Sequence, residues 1–492
     1  MQIRGVVPSL VVLALAAGPF ISACDDGGGG SDPMRFDAEV VDGGGGAGGQ
    51  GGAGGGSGEV EERLRLSYTK RVQPRDGSPA VVDMVVYDFE DNEEYNLTGG
   101  EGVVDCVTKI CRLNDDMTWI GWLETDDAGG GFRLMVAPVD VVRKVVLNDQ
   151  IREVDNGVND FRFTTYSANP LDDASPSVEL VIYSQGQAAD IDDRIDVRAS
   201  PVAPPDEEAC ANGGTLPDCP ALLGLINTNG GFRVTQLGAL IILIETTLST
   251  MTLNFYNVSS GAQSTIYTFG EQMMTGSQFD GRQPIGFSPD ATYLAVFTKD
   301  DSVWRLNALQ ARPSPPEPEI HALWELENNQ DGSCFRAMPY NFTEVRFDPV
   351  FSQDSEWIYF LARGDCSSRP VNANPTNRDD FDILRINRML QGPVENVTQN
   401  LRASHWSNHD IGDFDLSPDG TKLVFTAQRP NQATNRSIWL IDPSTGAYDC
   451  SRGEALPVID GRERCEFITD DRNGADVTLR DLNFHVVKVP VD

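Results

Sequence analysis

The chain has 492 residues, with 74 acidic against 38 basic side chains and a formal net charge of −36. So acidic a surface repels phosphate backbones and anionic lipid head groups, which argues against a nucleic-acid binder or a protein held to a membrane by basic patches. Nine cysteines with no CxxC among them, and only four histidines, offer little material for a zinc site or for thioredoxin-like redox chemistry.

The N-terminus opens with one positive residue, Arg4, then an apolar run from Val6 to Ile21 broken by small and turn-forming residues. The run is too short and too interrupted to cross a bilayer as a helix, so residues 1–23 read as a signal peptide. Its end, Ile21-Ser22-Ala23-Cys24, resembles the lipobox of bacterial lipoproteins. The resemblance implies that Cys24 becomes the lipidated first residue of a mature chain in the cell envelope, outside the cytoplasm. Its acyl chains would be the chain's attachment to a membrane and would supply the two signals that stable anchoring requires. Whether that membrane is the inner or the outer one is left open. Residues 24–59 follow, with 12 glycines among the 16 residues from Gly43 to Gly58. Such a segment buries no apolar surface and is expected to act as a flexible tether with a reach of roughly 30 to 35 Å. The globular part is then 60–492.

Besides Cys24, eight cysteines fall into close pairs: Cys106 with Cys111, Cys210 with Cys219, Cys334 with Cys366, and Cys450 with Cys465. An even count in an exported chain reads as disulfides, and proximity favours these four local bridges. No cofactor is expected; calcium is the one candidate, unsupported by a loop motif. The nearest approach to a calcium loop, Asp190 to Asp196, lacks the DxDxDG spacing and reads as a solvated turn.

The segment "DLSPDGTKLVF", Asp415 to Phe425, recurs along the chain. Aligned on Asp419, its counterparts are marked by Asp290 and Asp354, and more weakly by Asp116, Ser177, Leu237 and Glu62, at steps of 53 to 65 residues. Each mark precedes an alternating β-branched or aromatic strand, and a second strand follows after a polar loop, as in "SIWLIDPSTG" at Ser437. A third strand closes several units, as in "CEFITDD" at Cys465. With a short strand before each mark, this is four strands per repeat. The expected fold is therefore all-β: a single propeller of seven four-stranded blades.

"FDLSPDGTKLVFTA" with "SIWLID", and "GFSPDATYLAVFT" with "VWRLN", are similar to the WD40-like repeat of TolB-type β-propellers, in which Ser-Pro-Asp-Gly joins the inner strands. The strong matches cover three blades, from Pro284 to Asp470. The chain departs from TolB in having a glycine tether where TolB has an α/β domain. "DLNFHVVKV", Asp481 to Val489, sits where an eighth innermost strand would begin, and the first unit lacks one. Pairing of the C-terminal strand with the first blade is expected to close the ring.

Proline, aspartate and glycine suffice to build the Ser-Pro-Asp-Gly turn, so Ser417 needs no catalytic role, and no G-x-S-x-G is present. The opposite face carries the longer loops, where binding usually resides. There lie Arg363 and Arg369, at the start of and within "RGDCSSRPVNANPTNRDD", and His405, Trp406 and His409 in "NLRASHWSNHD". The two histidines stand at i, i+4 without the glutamate of HExxH, in a segment that reads as a loop, so no metal site is assigned. His321 and His485 fall in expected strands and suggest packing. N-x-S/T sites, among them Asn96, Asn257, Asn341 and Asn396, carry little weight beside a bacterial lipobox. The leading functional reading is a non-catalytic scaffold binding an envelope protein or glycan, with oligomeric state open. Its rival is an extracytoplasmic polysaccharide lyase or hydrolase whose site is built from loops of several blades.

Overall fold

The Ser-Pro-Asp-Gly segment folds as the turn between the strands Ile411–Leu416 and Leu423–Arg429. The Ser417 amide donates to the Lys422 carbonyl (2.8 Å), and the Lys422 amide donates back to Ser417 Oγ (2.9 Å). Asp419 Oδ1 accepts from the Thr421 amide (3.0 Å). Gly420 sits at φ +69°, a left-handed conformation that glycine adopts without a Cβ clash. The same network is rebuilt around Ser352, whose Oγ accepts from the Trp357 amide at 2.9 Å while Asp354 accepts from Glu356 at 3.0 Å. It recurs at Ser288, which accepts from the Tyr293 amide at 2.8 Å. In the variant at Asn114, Oδ1 accepts from Trp119 (2.9 Å) and Asp116 accepts from Thr118 (3.0 Å). Where Gly420 stands, these turns hold Ser355 at φ 58° and Met117 at φ 59°, at a cost of roughly 1 kcal/mol each. Ser417 is buried with its hydroxyl engaged, so the recurring motif is a turn.

The computed structural model describes residues 60–99, 104, 106, 110–125, 131–167, 177–186, 194–227, 231–234, 240–246, 251–257, 263–269, 285–289, 292–300, 303–310, 321–325, 348–363, 381–388, 394–398, 411–429, 432–452, 455–459, 462–469 and 475–490. They form an all-β propeller made of six four-stranded sheets, one five-stranded sheet and a two-stranded hairpin, all with antiparallel pairing. In chain order, the sheets after the first have their innermost strands at Cys111–Leu113, Val158–Ser167, Gly231–Val234, Ile285–Phe287, Val350–Phe351 and Ile411–Leu416. The first sheet has the order Glu93–Asn96, Val81–Asp88, Val60–Pro74, Ala475–Pro490. Its C-terminal strand runs antiparallel to Val60–Pro74, from Val60 opposite Pro490 to Pro74 opposite Ala475, with one bulge after Ser67.

Sheet strands here are buried on both faces, which is why they read as near-continuous apolar runs. In Leu423–Arg429, Leu423, Phe425 and Ala427 pack toward the sixth sheet, beside Tyr359, Leu361 and Ile383. Val424 between them packs the other way, with Leu66, Tyr68, Leu479 and Leu482 of the first sheet. Leu180 and Ile182 join the core shared with the fourth sheet, whereas Val181 and Tyr183 join that shared with the second. The first and second sheets share Met84, Val86, Trp122, Ala137 and Val487, and the fourth and fifth share Ile242, Ile244, Leu253, Ile285 and Leu294. At Gly286 any Cβ would meet the Pro349 carbonyl oxygen at 1.8 Å, so the innermost strands of the fifth and sixth sheets approach as closely as backbone allows.

Two of the N-x-S/T sites serve outermost strands. The Asn396 amide side chain donates to Asp382 Oδ2 (2.9 Å), and Thr398 Oγ1 accepts from the Ile383 amide (2.9 Å). Thr98 repeats this toward the Met84 amide at 2.9 Å.

The segment at Cys465 departs from the sequence expectation of a single closing strand. Ala447–Tyr448 takes the outer position of the seventh sheet, and Arg462–Cys465 instead pairs with Ala455–Ile459 in a separate hairpin. The chain then returns to that sheet, where Ile468 and Ile438 exchange backbone bonds (3.0 and 3.1 Å) and the Phe467 amide donates to the Ile438 carbonyl at 2.8 Å. The Cys450–Cys465 disulfide ties the two ends of this excursion. Cys106–Cys111 and Cys210–Cys219 are also bonded; Cys334 and Cys366, like Cys24 and the tether, lie outside the described residues.

Candidate functional site along the innermost strands

In three consecutive sheets the innermost strand carries an arginine between apolar neighbours: Cys111-Arg112-Leu113, Phe161-Arg162-Phe163 and Phe232-Arg233-Val234. The apolar neighbours enter the cores between sheets. The arginines are left to converge where the innermost strands line the axis. Arg112 Nη1 donates to Asp160 Oδ1 at 2.7 Å, and Arg162 Nη1 donates to the same oxygen at 3.0 Å. Both nitrogens also donate to the Phe161 carbonyl. Arg233 Nη2 donates to Asp348 Oδ1 at 3.1 Å, tying the fourth sheet to the residues just before the sixth sheet's innermost strand.

Burial alone would push the Asp160 carboxyl up, but Arg112, Arg162 and Arg233 outweigh it and hold it at about 2. Burial and then the like charge of Arg112 lower Arg162 to about 9, so it stays charged at neutral pH. About a quarter of each of these side chains still reaches solvent: 25% for Arg112, 24% for Asp160 and 23% for Arg162. Arg112, Asp160 and Arg162 are therefore accessible rather than sealed in a core, whereas Arg233 is buried.

A second, acidic group lies toward the inner-hairpin turns. Glu179 accepts from Thr165 Oγ1 and, at 3.2 Å, from the Asn114 side-chain amide, which also donates to Asp116 at 2.7 Å. Asp115 next to it is pushed up to about 6 by its crowded surroundings, then by the charges of Glu179, Asp116 and Asp415. Asp115 is exposed by area, so these neighbours surround it at an open mouth and not in a dry interior.

Asp415 and Asp413 also hold the C-terminal strand. Asp413 Oδ2 accepts from the Leu482 amide and Asp415 Oδ2 from the Phe484 amide, each at 2.8 Å. These carboxylates cover backbone donors on what is otherwise the free inner edge of the first sheet. His485 in the same strand is buried between Ser67 Oγ (2.8 Å from Nε2) and the Asp115 carbonyl (3.2 Å from Nδ1). A carbonyl only accepts, so Nδ1 carries the proton and Nε2 accepts from Ser67.

Burial lowers the His485 pKa to about 4, against the weaker pull of the Asp115 and Asn114 carbonyls. The unfolded imidazole, near 6.5, takes up its proton first, so stability present above about pH 6.5 is lost as pH falls through 4, by about 3 kcal/mol. Asp115 works oppositely below about pH 6, because its raised pKa favours the folded state on protonation. Denaturant midpoints measured between pH 7 and 4 are expected to fall, and to fall less in His485→Gln.

Of the loop residues expected from sequence, Arg363 ends the strand Trp357–Arg363 opposite Phe381. Its side chain, and all of Arg369, His405, Trp406 and His409, lie outside the described residues. The axial arginines were not among the sequence candidates. The signal for them was the lone charge inside each apolar innermost strand. Among the described residues no group of three or more His, Cys, Asp or Glu side chains is placed to hold a metal ion.

No family model and no curated protein matches the chain. Among solved structures it is similar to TolB from Acinetobacter baumannii, at 12% identity and a TM-score of 0.32, over 73% of this chain and 81% of that one. It is also similar to a protein from Lactobacillus plantarum, at 11% identity and a TM-score of 0.43, over 85% of this chain and 100% of that one. A third similarity is to a prolyl endopeptidase, at 10% identity and a TM-score of 0.47, over 79% of this chain but only 49% of the endopeptidase. The propeller assignment rests on this chain's own sheet pairings and on the cores between them.

Proposed function

We propose that the chain is a seven-bladed propeller closed by its C-terminal strand, anchored in the bacterial cell envelope through lipid on Cys24, that binds an envelope protein or glycan without transforming it. The Gly-rich segment 24–59 lets the propeller stand off the membrane and sample partners. The observation that carries the binding reading is how reactive-type side chains are used among the described residues. Ser288, Ser352 and Ser417 accept backbone bonds within turns, His485 is neutral and locked between two partners, and Asp413 and Asp415 cap backbone amides. What the rigid scaffold presents to solvent is an array of charged groups suited to recognition.

The test is crosslinking in the native envelope followed by identification of what is captured. Recovery of a defined partner is the expected result. Failure to capture any partner, together with depolymerisation of a cell-wall or extracellular glycan by the purified protein, would overturn the reading. Cys24→Ala is expected to release the protein from membranes.

A further inference from the structure

We propose that Arg112 and Arg162, on the innermost strands of the second and third sheets, form a binding site for a small oxyanion: a carboxylate or phosphate group of one or two charges. This goes beyond the partner reading above and stands or falls separately from it. Two guanidiniums, Arg112 and Arg162, share one carboxylate, Asp160. The group therefore carries one positive charge in excess, inside a chain whose overall charge is −36.

The two arginines are brought together by shared acceptors. Both place Nη1 on one oxygen of Asp160 and on one carbonyl, that of Phe161. Each reaches Asp160 through a single nitrogen, not through the paired nitrogens that grip a carboxylate or phosphate side-on. An oxyanion arriving along the axis would meet guanidiniums whose positions are already set by the cores behind them, so little ordering is needed on binding. The lowered pKa of Arg162, caused by burial and then by Arg112 and Arg233, fits like charges held together and relieved by a counter-anion.

The acidity of the rest of the chain selects for size: a polyanion is repelled by the surrounding surface more strongly than a single small group is. The shared chemistry of organic acids and inorganic phosphate makes both suitable probes.

The experiment is calorimetric titration of the full mature chain with malonate and, separately, with inorganic phosphate, at constant ionic strength in sodium chloride. Saturable binding of one equivalent of at least one probe is expected. Preference for malonate would point to an organic acid and preference for phosphate to a phosphoryl group. Arg162→Gln is expected to weaken that binding at least tenfold, while Arg162→Lys keeps the charge, loses the planar fork and falls between. Because Arg162→Lys retains the ion pair with Asp160, it reports on the site even if the glutamine variant fails to fold. Absence of saturable binding by either probe, or affinity unchanged in both variants, would overturn the proposal.

Discussion

A chain ending at residue 474 is expected to show no cooperative unfolding transition. The strand it lacks, Ala475–Pro490, pairs along nearly the whole of Val60–Pro74. It also buries Val477, Leu479, Leu482, Phe484, Val487 and Val489. At about 1.5 to 3 kcal/mol for each large apolar side chain buried, removing these six gives up about 9 to 18 kcal/mol, which matches or exceeds the whole stability of a typical domain. The loss is not confined to one sheet. Leu479, Leu482 and Phe484 belong to the core between the seventh and first sheets, and Val487 and Val489 to that between the first and second. Circular dichroism of the truncated chain across a urea series tests this. A sigmoidal transition with the full chain's midpoint would show that the strand contributes nothing to the fold.

Asp88→Ala is expected to destabilise the protein by about 3 to 5 kcal/mol, the range for removing one partner of a buried ion pair. Arg65 Nε meets Asp88 Oδ2 at 2.9 Å, with the two side chains 1% and 0% exposed. Arg65 Nη1 also donates to the Val141 carbonyl of the second sheet at 3.1 Å, so the pair joins two sheets as well as two strands. Left without Asp88, the guanidinium would be a buried charge with no counter-ion. Replacing both partners, Arg65→Met with Asp88→Leu, removes that penalty and is expected to recover most of the loss. Urea midpoints for the two variants decide it: if the double variant is as unstable as Asp88→Ala, packing rather than the unpaired charge is the cause.

The repeat was legible because its turn needs particular side chains at fixed offsets. A serine or asparagine must accept from the amide five residues on, and an aspartate two residues later must accept locally, as at Ser417 and Asp419, Ser352 and Asp354, and Asn114 and Asp116. Ser177 and Leu237 have no such chemistry and were placed by the period. Ser177 opens the strand Ser177–Gln185, and Leu237 lies in sequence between the paired strands Gly231–Val234 and Leu240–Thr246, outside the described residues. The aromatic contacts at the last seam depend on tertiary packing and left no periodic trace: Phe89 stacks with Phe467 and with Phe484, each at 5.9 Å between ring centroids. Arg112, Arg162 and Arg233 were hidden for a related reason. One charge in an apolar strand looks like an ordinary solvent-facing residue, and only the order of sheets shows that the solvent it faces is the axis.

Closure of the propeller by the C-terminal strand is most directly tested by native-state hydrogen exchange on the full chain. The amides of residues 475–490 should be protected to the same degree as those of 60–74, because the two strands open only when the fold opens. Rapid exchange throughout 475–490, with 60–74 and the second strand of each sheet still protected, would contradict closure by this strand.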